Sequence, residues 1–333
     1  MNFKEASYYE KIEDQQVKCR LCPHHCRLKA GQRGLCRVRI NEEGVLYTMN
    51  YRKITSAALD PIEKKPLYHF YPGKLILSVG TFGCNLFCPF CQNYSLAHGE
   101  PPTELLDEEA LVELADHYEA QGSIGVAFTY NEPSIWYEYV YQAAMQLREE
   151  DHQVVLVTNG YIEAKPWYEL LPLINAVNID VKAFNPMFYR HHCHGDLELV
   201  KKRVEEAARE THVEITYLLI PGENDSAEEI KALAGWLASI NPNIPLHISR
   251  YHPAYKFNLE ATPLESLYTT YDITRKHLNY VYLGNIGYDN NHTRCLNCNE
   301  ILIRRNYYQT EISGVKNGHC QSCDFPVSHI IGI

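Results

Sequence analysis

Gly83-Cys84-Asn85-Leu86-Phe87-Cys88-Pro89-Phe90-Cys91-Gln92-Asn93 places three thiols within eight residues, just after the apolar run Leu75-Ile76-Leu77-Ser78-Val79. No fourth cysteine follows at comparable spacing. Iron–sulfur cubanes are ordinarily held by four cysteine thiolates. Three ligands leave one iron without a protein partner, and an open position separates a metal centre that does chemistry from one that only holds a fold. Two blander readings compete. Structural zinc ordinarily takes four protein ligands, and free cysteine is among the most buried residue types. Three cysteines packed this closely beside a strand argue against chance burial.

Outward from this loop, the middle of the chain alternates strand and helix. Apolar runs at Ile76–Val79, Gly125–Thr129, Val154–Val157, Val177–Val181, Val213–Ile220 and Pro245–Ser249 read as strands. Between them, Asp107–Ala120 and Ser226–Ser239 carry helical periodicity, with acids in the first turn where they complement the dipole. Such alternation implies an α/β fold, parallel strands with helices packed outside. The count fits a TIM-like partial (βα)6 barrel, and Tyr280–Leu283 offers one more strand. Chemistry in such barrels gathers at the carboxyl ends of the strands.

The residues expected at those ends are polar. They are Thr129-Tyr130-Asn131-Glu132-Pro133, Thr158-Asn159-Gly160, Asp180-Val181-Lys182, Pro221-Gly222-Glu223-Asn224-Asp225, and the pair His247 and Arg250. Singly each has an ordinary explanation, such as a helix N-terminal acid, an Asn-Gly turn or a surface ion pair. At successive strand ends of one barrel they form a coherent wall.

The chain has 333 residues, 45% hydrophobic and 22% charged, the balance of a globular protein. Length favours one large domain plus small additions: residues 1–50, a barrel over 51–290, and a C-terminal unit over 291–333. No apolar run approaches a membrane span, and Met1-Asn2-Phe3-Lys4-Glu5-Ala6 lacks a signal pattern. A net charge of −10 argues against non-specific nucleic-acid binding. Twelve cysteines without a secretion signal point to metals in a reducing cytoplasm, not to disulfides.

Their segregation supports this. Cys295-x-x-Cys298 and Cys320-x-x-Cys323 have the form of a zinc ribbon around Ile301–Tyr308. Structural zinc is the expectation there, with rubredoxin-type iron or an auxiliary cluster as alternatives. Cys19, Cys22, Cys26 and Cys36 form another four-thiolate set, which suits zinc or an auxiliary [4Fe–4S] cluster equally. Cys193, within His191-His192-Cys193-His194, reads as a surface thiol in a loop.

The cysteine loop resembles that of the radical S-adenosylmethionine (SAM) enzymes, and the order of the later segments resembles the glycyl-radical-enzyme activases, such as pyruvate formate-lyase activating enzyme. The resemblance implies a [4Fe–4S] cluster on Cys84, Cys88 and Cys91 whose open iron chelates SAM. It implies that Glu132 binds the SAM amino group, with Tyr130 and Asn131 standing where the family has two glycines. Lys182 of Asp180-x-Lys182 would approach the SAM carboxylate, His247 the adenosine, Phe90 the adenine through its backbone, and Asn159 the same pocket. Val157 replaces an acid that helps hold a monovalent cation in the family, so that cation site is expected to be absent.

Four further segments are similar to the radical SAM component of the AmmeMemoRadiSam system. They are the N-terminal cysteine set with Gly34-x-Cys36-x-Val38-Arg39, Asp60 through Phe70, Thr129 through Pro133, and Tyr282-Leu283-Gly284-Asn285-Ile286 followed by the cysteine knuckle. That resemblance implies a Memo-like partner protein and a reductant such as ferredoxin or flavodoxin. The competing classes are a glycyl-radical-enzyme activase and a non-catalytic iron–sulfur and zinc electron carrier, the latter having no need of a SAM pocket.

Overall fold

Runs rich in Val, Ile and Leu, apolar on both faces, become the core strands of one eight-stranded sheet. The computed structural model describes residues 3–286 and 291–333. The strands are β1 (Ser56–Pro61), β2 (Leu75–Gly80), β3 (Ser123–Phe128), β4 (Gln153–Thr158), β5 (Ala176–Asp180), β6 (His212–Leu219), β7 (Leu246–Arg250) and β8 (Val281–Gly284). They lie side by side in chain order, and β1 and β8 do not pair, so the sheet stays open. From β2 to β8 each neighbouring pair is parallel. The expected strands are therefore present, and Val281–Gly284 extends the parallel run.

Strand β1 was not expected. Its sequence, Ser56-Ala57-Ala58-Leu59-Asp60-Pro61, lacks the branched residues that mark a buried strand. It is antiparallel to β2, from Ser56 opposite Gly80 to Pro61 opposite Leu75. An edge strand needs only one partner and tolerates this composition.

The helices α1 (Glu108–Glu119), α2 (Tyr137–Glu149), α3 (Ala164–Leu170), α4 (Leu197–Glu210), α5 (Ala227–Ile240) and α6 (Leu264–Thr274) occupy the crossovers. Their starts are written in the sequence. Asp107, Asp196 and Ser226 cap α1, α4 and α5, accepting from Ala110 N, Glu198 N and Glu229 N. Among the described residues no helix is long and apolar enough to cross a membrane.

Residues 3–50 form two small antiparallel sheets. Arg39, nearly fully buried, fastens them to α2 through a two-pronged ion pair with Glu138, both contacts at 2.8 Å. The C-terminal unit covers the opposite, amino-terminal end of the strands. Arg305 donates to the Tyr68 carbonyl at 2.6 Å, and Thr310 to Glu63 at 2.7 Å. The expected barrel limit at 290 falls in residues 287–290, outside the described residues.

Candidate active site

The carboxyl ends of the strands open on a cavity of about 270 Å³. Cys84, Cys88, Cys91 and Phe90 line one side, and Asn131, Glu132, Asn159, Asp180 and Lys182 line the rest. These sequence-predicted residues come from separate strand ends and meet at one place because the strands are parallel and in register.

The cysteine loop leaves β2 through Gly83, whose φ of +92° and tight surroundings exclude a side chain: a Cβ there would lie 2.7 Å from the Cys36 carbonyl oxygen. Hydrogen-bond donors are aimed at the first sulfur. Leu86 N lies 3.4 Å from Cys84 Sγ and Asn159 Nδ2 lies 3.7 Å from it. Burial pushes the Cys84 thiol far above its usual range and Cys91 up to about 11. Cys88 is raised first by the adjacent Cys193 thiol and then by burial. Three thiols that resist ionisation, the first of them facing two N–H donors, fit a site in which metal supplies the compensating charge.

Glu132 is almost fully buried after β3. Its Oε1 accepts from Ser134 N at 2.9 Å and Thr158 Oγ1 at 2.6 Å, and its Oε2 accepts from Asn159 N at 2.8 Å. A carboxylate offers about four acceptor positions, so roughly one remains for a ligand ammonium. Burial still outweighs these bonds and raises the Glu132 carboxyl above the usual carboxylate range. Across the cavity Lys182 Nζ lies 2.9 Å from Asp180 Oδ2. Burial alone would lower the Lys182 pKa, but Asp180 and then Cys88 overcome it and hold the ammonium charged. The cavity thus carries a buried acceptor and a fixed cation on separate strand ends, the two charges needed for the ends of an amino acid moiety. Phe90 packs against Phe188 and Phe257, ring centroids 5.8 Å away in both cases.

Two expectations are corrected. His247 does not reach the cavity. It lies two residues before Ser249, a cavity residue, toward the amino-terminal end of β7. There its Nε2 meets Glu214 Oε2 at 2.6 Å, and its ring lies edge-on to Tyr68 at 4.7 Å. Cys193 is no surface thiol. It is fully buried at the end of a π-helical turn, Tyr189–Cys193, with Sγ 3.6 Å from Cys88 Sγ. It does not line the cavity, so it is not a fourth ligand facing the open side.

The sequence reading gave Tyr130 no role of its own. This residue, at φ +72°, lines the cavity and donates to Asp60 Oδ2 at 2.8 Å. Asp60 also accepts from Lys64 and Lys65, both at 2.9 Å. Burial opposes ionisation of Asp60, but Lys65 and Lys64 prevail and hold its carboxyl well below the usual range. The sequence shows only a tyrosine here; its positive φ and its bond to a carboxylate 70 residues away are not legible in it.

The two four-cysteine sets differ in geometry. At the C-terminus the sulfurs of Cys295, Cys298, Cys320 and Cys323 all lie within 4.8 Å of one another, so this set can bind a metal ion. Cys19, Cys22, Cys26 and Cys36 instead surround a small cavity behind the cysteine loop.

A family model for the Radical SAM superfamily matches residues 78–234. An uncharacterised protein of Methanocaldococcus jannaschii, MJ0808, is 38% identical over 330 residues, covering 96% of this chain and 97% of that protein. Among solved structures, SAM-bound SuiB of Streptococcus suis matches with a TM-score of 0.52 at 15% identity, over 64% of this chain and 52% of SuiB. This chain thus spans about half of SuiB and shares its fold. A domain of a pyruvate-formate lyase-activating enzyme from Bacteroides vulgatus gives a TM-score of 0.43 at 21% identity, covering 48% of this chain and 98% of that domain. Residues 78–234 thus form a Radical SAM superfamily domain, and that family implies a [4Fe–4S] cluster and SAM.

Proposed function

We propose that the protein is an enzyme that reductively cleaves SAM to methionine and a 5′-deoxyadenosyl radical. One observation carries the reading: a three-thiol loop without a fourth ligand on its open side faces a cavity that also holds Glu132, Asp180 and Lys182. The cluster, when bound, supplies the single electron for cleavage of the C5′–S bond. The chain's own residues bind and orient. Cys84, Cys88 and Cys91 would hold the cluster; Lys182 would take the carboxylate of SAM; Glu132 and Asp180 would present acceptors to its ammonium. Phe90 and its aromatic neighbours keep water from the adenine side. A reductant of the ferredoxin or flavodoxin class supplies the electron.

We also assign zinc to the C-terminal set. Its Sγ–Sγ pairs of 3.6 and 3.7 Å suit tetrahedral thiolates on one small ion. Kinship with the AmmeMemoRadiSam radical SAM proteins, and hence a Memo-like partner, rests on the four sequence segments alone.

The test is anaerobic reconstitution, reduction with dithionite and addition of SAM. The parent should release 5′-deoxyadenosine and methionine, and Cys88→Ala should release neither while keeping its far-ultraviolet circular dichroism. Equal release by that variant would overturn the proposal.

A further inference from the structure

We propose that Cys19, Cys22, Cys26 and Cys36 hold a second [4Fe–4S] cluster, which takes electrons from an acidic one-electron carrier protein and passes them to the cluster in the barrel. The ligand assignment rests on the N-terminal geometry and its comparison with the two other cysteine sets; the transfer rests on the reading of the barrel cluster given above.

Sulfur spacing separates zinc from a cube. A zinc ion with Zn–S bonds of about 2.3 Å draws four thiolates to about 3.8 Å of one another. The C-terminal set shows that spacing. Among the described residues it is the group whose ligand atoms all lie within 4.8 Å, and no three of the N-terminal sulfurs meet that limit. Nor do Cys84, Cys88 and Cys91, the set that superfamily membership assigns to a four-iron cluster. The N-terminal thiols are thus set wider apart than the C-terminal four, and they line a small cavity of their own. A four-iron core with its inorganic sulfides needs that wider frame.

A second observation points into the same cavity. Arg39 lines it, and although both terminal nitrogens of its guanidinium are bound to Glu138, its Nε is buried with no hydrogen-bond partner. A buried orphan donor is costly. A sulfur of the cluster is the acceptor it lacks, and N–H···S bonds of this kind tune cluster potential.

Position gives the role. The Cys36 carbonyl packs on Gly83, and Nε2 of His24, another residue of the N-terminal cavity, donates to the Asn85 carbonyl at 2.7 Å. Gly83 and Asn85 flank Cys84. The two cysteine sets therefore touch back to back through one residue on either side of a barrel ligand.

The outer face is suited to a donor. From Cys19 to Arg39 the chain has Arg20, Arg27, Lys29, Arg33, Arg37 and Arg39 and no acid, in a protein of net charge −10. Arg27 and Lys29 are exposed there beside exposed Leu35, while Arg33 and Arg37 face Glu100 at 3.8 and 3.6 Å and Arg20 faces Glu10 at 2.7 Å. Such a patch steers an acidic carrier of the flavodoxin or ferredoxin class. The step is a relay of one electron: the carrier is oxidised, the outer cluster is reduced and then reoxidised by the barrel cluster, and no bond forms or breaks.

The experiment removes the barrel ligands together, with Cys84→Ala, Cys88→Ala and Cys91→Ala. After anaerobic reconstitution this variant should keep about four irons and four sulfides per chain, and adding Cys22→Ser and Cys26→Ser should remove them. Iron-free protein carrying zinc at both four-cysteine sets would overturn the ligand assignment. Should the triple variant fail to fold, the parent itself decides, at about eight irons if both sites hold clusters and about four if one does. For the relay, Cys22→Ser/Cys26→Ser protein with its barrel cluster intact is mixed with reduced flavodoxin, and bleaching of the barrel cluster is timed. Slower bleaching than in the parent is expected for a lost relay; an unchanged rate would overturn it. Absence of SAM cleavage in the parent would sink the barrel reading instead, leaving the iron counts untouched.

Discussion

Glu132 and Lys182 carry opposite charges on separate strand ends, and each has a distinct consequence when changed. Glu132→Gln keeps shape but loses the charge that draws an ammonium. Lys182→Ala removes the cation and leaves Asp180 without its 2.9 Å partner. Each should weaken SAM binding by roughly 1.5–3 kcal/mol, about ten- to a hundred-fold, as for loss of a charge-assisted hydrogen bond. Equilibrium dialysis with the reconstituted variants measures this, and iron content should not change. Iron loss with SAM affinity intact would show that both residues serve the cluster instead. Most of the cavity wall was legible at this scale, because strand-end position and residue type coincide in Glu132, Asn159, Asp180 and Lys182. His247 was not, since a strand residue two positions off faces the same way at a different depth. Its true partner, Glu214, receives both Tyr68 N at 2.9 Å and His69 N at 2.7 Å, a long-range contact that no local pattern reveals. Cys193 misled because its histidine neighbours read as surface, while the π-helical turn points the thiol inward.

At the scale of elements, the N-terminal sheets are tied to the barrel by a buried ion pair, with Ser7 N on Glu138 and His24 on the Asn85 carbonyl as further ties. Arg39 and Glu138 are only 2% and 3% exposed, so removing one partner strands the other's charge. Arg39→Ala should cost about 3–5 kcal/mol, read as a lower urea midpoint for the N-terminal segment than for the barrel. Hydrogen exchange should show the strands Val17–Cys19 and Arg39–Glu42 opening first. Coincident unfolding of segment and barrel at the parent's midpoint would refute this. Helix starts were readable from Asp107 and Ser226 because capping is local chemistry. Strand β1 and the turn after it were not, because their form depends on partners elsewhere. Asn178 Nδ2, for example, binds the Pro66 carbonyl at 2.8 Å, across 112 residues of chain.

On the scale of the whole molecule, the C-terminal unit is a small cap on the amino-terminal end of the strands whose four cysteines can bind a metal ion. Its core is Leu302, Ile303, Val327 and Ile330 with two of the cysteines, and units this small ordinarily need a metal or another staple. Removing Cys295 and Cys298 should therefore cost zinc and solubility while barrel iron persists, as elemental analysis would show. Loss of about four irons with zinc retained would instead place a cluster there. Docking should also depend on pH. His329 bonds Tyr280, and burial lowers its pKa from 6.5 to about 4. The unfolded or undocked form thus binds the proton first. The stabilisation is complete above pH 6.5 and is lost as pH falls toward 4. Protection factors of the Tyr71 and Ile331 amides, which bridge the unit to the barrel, should fall as pH drops across that window and fall less in His329→Gln. The central claim remains that one iron of the barrel cluster is open to SAM. Mössbauer spectra of protein reconstituted with iron-57, recorded with and without SAM, test it most directly. The account predicts that a single iron subsite changes its isomer shift when SAM is added, and that Cys88→Ala shows no such change. Spectra of the parent identical with and without SAM would contradict it.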